Sequence, residues 1–121
     1  MALTFRRFGY LGAFLLVLAA LFFVAFGTPP LTSITGLQLV VFVLAGLFEL
    51  LGGFQNPVRE RVGALRLVGI GHVGLGVSMG LSAASESSLV FQVLFALTGL
   101  MLVAFGVDYV TGANYFDAPE E

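Results

Sequence analysis

Four ionisable side chains stand inside otherwise apolar runs of this chain: Glu49, Arg66, His72 and Asp108. A charge at the centre of a helix in lipid costs about 3 kcal/mol even on the mildest scale, so residues of this kind are kept for pairing or for function. Folding the second and third apolar runs back to back about Pro57 sets Glu49 level with Arg66. Folding the third and fourth about Glu86 sets Arg66 level with Gly106, half a turn from Asp108. The expectation is a Glu49–Arg66–Asp108 cluster near one boundary of the apolar layer. Such a cluster is either an ion pair that satisfies Arg66 and fixes helix register or the entrance to a proton or ion relay built on Glu49.

His72 is the one histidine, about ten residues into the third run. A single imidazole neither ligates haem from both sides nor makes a metal site. The expected role is a neutral ring donating to a carbonyl or hydroxyl on a neighbouring helix. The same equal-depth reasoning places apolar Val43 and Leu100 beside it, so a partner must come from the first run, a second copy or a bound molecule such as a quinone. A titrating imidazole beside a carboxylate could instead move protons part of the way across a membrane. Beyond it the polar groups are Ser78, Ser82, Gln92 and Gln38, which do not spell out a complete path.

Other chemistries are poorly supplied. There is no cysteine, hence no disulfide, thiolate nucleophile, iron–sulfur ligand or thiolate zinc site. No GxSxG, HExxH or membrane-protease aspartate pair occurs, and no catalytic site, metal or cofactor is expected. The net charge is −2, with an acidic C-terminus (Asp117, Glu120, Glu121), which gives no reason to expect a nucleic-acid partner.

The elements that must position these groups are membrane spans. The chain is 59% hydrophobic and 10% charged, against roughly a quarter charged in soluble domains. Apolar runs cover about 8–27, 36–54, 62–83 and 89–107, each near the roughly 20 residues a spanning helix needs, with an acidic tail over 108–121. Thr28-Pro29-Pro30, Gly52-Gly53, Asn56-Pro57 and Ala84 to Ser88 break them, and Thr32 to Thr35 offers capping hydroxyls to the second. Arg6 and Arg7 before the first run resemble a signal-peptide n-region, but the run is longer than an h-region, and a retained span is expected. The fold class is therefore all-α integral membrane, a four-transmembrane-helix up-down bundle in one membrane domain.

All five basic residues are arginines: Arg6, Arg7, Arg59, Arg61 and Arg66. They flank the N-terminus and the connection between the second and third spans, which predicts a multi-pass cell-membrane protein with both termini cytoplasmic. Tyr10, Tyr109, Tyr115 and Phe116 then read as interfacial anchors on that side. The third span carries Gly69, Gly76 and Gly80 with His72 on one face, and Gly71, Gly74, Ser78 and Ser82 beside it. Small residues let backbones approach closely, so this span is expected at the centre of the packing. The first span, rich in phenylalanine, is expected to face lipid. The functional reading is a small non-enzymatic membrane protein, a structural or accessory subunit or a self-associating one, whose partners are the lipid bilayer and either a second copy or a larger membrane complex. The alternative is a small proton- or ion-coupled transporter or channel using Glu49 and His72.

Overall fold

The computed structural model describes residues 5–30 and 32–112. Five helices occur there and no strand: α1 (Phe5–Phe26), α2 (Ile34–Gly53), α3 (Pro57–Val62), α4 (Ala64–Ser85) and α5 (Leu89–Thr111). All but α3 are long and apolar enough to cross a membrane. The acidic residues Asp117, Glu120 and Glu121 and the aromatics Tyr115 and Phe116 lie outside the described residues.

Local chemistry sets the ends. Ser33 caps α2 by accepting a hydrogen bond from the Gly36 amide at 3.0 Å. Asn56 caps α3, its side-chain oxygen accepting from the Arg59 amide at 2.9 Å, and Pro57 follows in the first turn, where its missing N–H costs nothing. Gly112, at φ 71°, ends α5 in the left-handed conformation that favours glycine. α5 thus continues through Asp108, which is a buried residue of its last turns rather than the start of a tail.

The four long helices form an antiparallel row in the order α1, α2, α4, α5. α1 packs along α2 and reaches α4 only locally; α5 packs on α4. Among the described residues α1 and α5 do not run along one another and their side chains come together only at the arginine-bearing end, so the up-down order does not close into a four-sided bundle. Glycine placement explains the opening. A methyl group on Gly53 would collide with the Gly9 backbone, and one on Gly12 with the backbones of Gly46 and Leu50, which defines the α1/α2 seam. Gly52, Gly71 and Gly74 serve the α2/α4 seam, against Val68, Glu49 and Ala45. At the α4/α5 seam Gly69 faces Gly106 and Gly76 faces Gly99, each within 3 Å of the other's carbonyl oxygen if a Cβ were added. No such surface faces from α1 to α5.

α4 is the central helix of the row. Val68 is fully buried and Leu67 nearly so, whereas α5 shows most of its outer apolar side chains, with Leu89 72% and Leu100 65% exposed. The described core gathers at the arginine-bearing end, where Phe5 and Phe8 of α1 meet Val68 of α4 and Tyr109 of α5.

Candidate functional site

The α2/α4 seam carries polar groups at both of its ends. At the arginine-bearing end Glu49 is completely buried, and His72 Nδ1 lies 2.6 Å from its Oε1. The same Nδ1 lies 3.0 Å from the Val68 carbonyl one turn back in α4. One ring nitrogen therefore stands between two acceptors, and its proton can be given to either. Neither carboxylate oxygen has a well-aligned hydrogen bond among the described residues, so the close approach of His72 is the polar contact on which Glu49 depends.

The walls around the pair are drawn from all four long helices. Phe8 of α1 stands edge-on to the imidazole with ring centroids 5.2 Å apart, and Tyr109 of α5 does the same at 5.8 Å. Gly71 of α4 lies against the Glu49 side chain so closely that a Cβ there would fall 2.8 Å from Cγ. The absent side chain at 71 is what makes room for the carboxyl group between the helices.

At the opposite end of the seam Gln38 reaches from α2 to α4. Its Nε2 donates to the Ser78 carbonyl at 3.2 Å and to the Ser82 hydroxyl. Eleven residues of α2, about 16 Å at 1.5 Å per residue, separate this contact from Glu49. The facing residues between them are apolar or small, with Ala45 packed on Gly74 and only 1% exposed. The seam is thus a hydrophobic stripe with a polar clasp at each end.

This arrangement differs from the cluster expected from equal-depth counting. The α2 to α4 connection is not a tight turn at Pro57 but contains the helix α3, which offsets the two long helices. Glu49 comes level with Gly71 instead of Arg66, a slip of about five residues or roughly 7.5 Å. His72 consequently gains the partner that Val43 and Leu100 could not provide. Arg66 is exposed in the first turn of α4 and makes no ion pair among the described residues. Asp108 is buried, at 5% exposure, in α5. Gly69 and Gly76 meet α5, while a Cβ on Gly80 would meet nothing within 4 Å.

Several contributors were not singled out from sequence. Gly9 and Gly12 place α1 in close contact with α2, so the first helix is a packing partner on one face and exposed on the other. The signal was present: Gly46 and Gly53 are seven residues apart in α2, as are Gly69 and Gly76 in α4 and Gly99 and Gly106 in α5. Phe8 carries no mark that distinguishes it from other aromatics in the chain, and Tyr109, expected as an interfacial anchor, is buried with its ring against His72.

The fold and site define an all-helical protein of four membrane-length apolar helices with an enclosed carboxyl–imidazole pair. The chain belongs to a family of unknown function, DUF7994, whose model matches residues 3–121. No curated protein and no solved structure matches it.

Proposed function

We propose that this chain is a multi-pass membrane protein with both termini cytoplasmic, acting as a non-catalytic structural or accessory component, and that Glu49 and His72 are its internal helix lock. The observation that carries the reading is the enclosed Glu49–His72 contact at one end of an otherwise apolar α2/α4 seam. A buried polar pair is poor at adding stability but good at rejecting alternative registers, because any slip leaves a carboxyl group unpartnered in an apolar seam. Here a slip of α2 along α4 would also drive the Glu49 side chain out of the space left by Gly71.

The exposed apolar faces of the four long helices and the placement of the arginines support the topology. Apolar side chains exposed along their length, including Val24 at 86% and Phe26 at 77%, are stable against lipid and costly against water. Arginines at one end and none in the opposite connections favour that end in the cytoplasm. Because the chain has no cysteine, single cysteines introduced at Arg61 and at Ser87 report the two sides directly. An impermeant thiol reagent applied outside intact cells should label the second and spare the first.

The transport alternative rests on the same pair. The test is proton flux in liposomes for the unaltered protein, Glu49→Gln and His72→Ala. The lock reading expects the same near-zero flux from all three, with both variants less stable. Flux in the unaltered protein that both substitutions abolish would replace the lock with a relay.

A further inference from the structure

We infer that the cavity between the start of α4 and the end of α5 seats the headgroup of an anionic phospholipid, with Arg66 holding its phosphate. The inference rests on the membrane reading above and adds a ligand to it. The cavity has a volume of about 420 Å³, and its walls include Phe5, Val62, Leu65, Tyr109 and Val110, with Arg66 as the charged lining residue. Its described lining contains no carboxylate.

Arg66 occupies an unusual position. It stands in the first turn of an apolar helix, is exposed, and makes no ion pair among the described residues. Arg59 nearby is buried, with its guanidinium 5.5 Å from the centre of the Phe5 ring. Arg66 instead lines the cavity and is exposed. A guanidinium is a rigid fork of five N–H donors, suited to two oxygens of one phosphate, and it is weakly hydrated enough to work at the edge of hydrocarbon.

Charge and wall chemistry together choose the occupant. Glu60 and Asp108 stand at the same end as Arg59, Arg61 and Arg66, so the pull on an anion is local to the lining, where Arg66 is the charged residue. A free phosphate would satisfy Arg66 but leave aromatic and aliphatic walls against water. A phospholipid satisfies both, its phosphate on Arg66 and its glycerol and upper acyl carbons on Phe5, Leu65, Tyr109 and Val110. The cavity opens at the end of the molecule where headgroups lie if the helices span the bilayer.

Native mass spectrometry of the full chain in detergent tests this, with phosphatidylglycerol, phosphatidylcholine and inorganic phosphate as probes. The unaltered protein should retain phosphatidylglycerol in preference to phosphatidylcholine. Arg66→Gln should weaken retention about fivefold, the loss of one interfacial cation, and Arg66→Lys should fall between because it loses the fork. Arg61→Gln, at an arginine outside the cavity lining, should change retention little. Equal retention by the unaltered protein and Arg66→Gln overturns the inference, as does an equal loss in Arg61→Gln, which would mean a diffuse field. Displacement of the lipid by inorganic phosphate also overturns it. Arg66 is exposed, so the variant should keep the helicity and melting temperature of the parent. Recovery of the chain in the soluble fraction without detergent would instead refute the membrane reading itself.

Discussion

His72 Nδ1 and Glu49 Oε1 lie 2.6 Å apart, but the two residues do not depend on one another equally. His72 also has the Val68 carbonyl at 3.0 Å, whereas Glu49 has no other well-placed described partner. The two deletions should therefore differ. His72→Leu strands a buried carboxyl group and should cost about 3 kcal/mol or more, in the range for removing one member of a buried pair. Glu49→Leu leaves an imidazole that still has a partner and should cost nearer 1 kcal/mol. The double variant, with no stranded group, should be more stable than His72→Leu alone. Unfolding by denaturing detergent, followed by circular dichroism, gives all three values, and simple additivity would show that the contact carries no coupling.

How far this site was legible in the sequence depends on which link is asked about. The four long apolar helices follow from the apolar runs, and α4 as the central helix follows from its glycines, because both depend on local composition. The pairing of Glu49 did not follow. Equal-depth counting assumes a compact turn, and six residues of α3 between the long helices displaced the register by more than a turn. Helical content in a loop of Asn-Pro-Val-Arg-Glu-Arg was readable from the Asn cap and the following proline, but its effect on offset depends on how α3 docks, which is tertiary. The first helix was likewise expected to face lipid, because phenylalanine suits lipid and protein equally well, yet Phe8 packs against His72.

The paired glycines of α4 and α5 should be among the least substitutable positions in the molecule, together with Gly53 and Gly12 of the α1/α2 seam. Gly76 and Gly99 approach so closely that a Cβ on either would lie within 2.6 Å of the other's carbonyl oxygen, and Gly69 with Gly106 repeats the arrangement two turns away. Backbone atoms cannot yield as a side chain can. Gly76→Ala or Gly106→Ala should force the helices apart and cost about 2 kcal/mol, within the range for overpacking. Gly80→Ala enters open space and should be neutral or slightly stabilising, since alanine favours helix by about 0.5–1 kcal/mol. Melting temperatures of these variants in one detergent decide the matter; equal losses at 76 and 80 would contradict the seam.

Gln38 tests the far clasp independently. Gln38→Leu removes its hydrogen bonds to the Ser78 carbonyl and the Ser82 hydroxyl while keeping much of the volume. Interhelical hydrogen bonds in membrane proteins average about 0.6 kcal/mol, so a loss below about 1.5 kcal/mol is expected. At a separation of about 16 Å from Glu49, the effect should add to that of His72→Leu without coupling. A large non-additive term would mean that α2 and α4 move as one rigid body when either clasp is cut.

Asn56 is where the register itself can be challenged. Its side-chain oxygen caps α3 by accepting from the Arg59 amide, while its side-chain nitrogen donates to the Leu51 carbonyl at 2.8 Å and the Phe54 carbonyl at 2.7 Å, closing the end of α2. One amide thus joins the two helices whose offset decides what Glu49 meets. Asn56→Ala loses both functions and should cost about 1–2 kcal/mol. Asn56→Asp keeps the capping acceptor and loses the donors to α2, which separates the contributions. If α3 sets the offset through this amide, Asn56→Asp should weaken the Glu49–His72 coupling measured by the double-variant cycle even though the cap of α3 is intact. If instead the glycine seams alone hold the offset, Asn56→Asp and Asn56→Ala should both lower stability while leaving that coupling unchanged. Hydrogen exchange across residues 50–62 should then show fraying confined to α3.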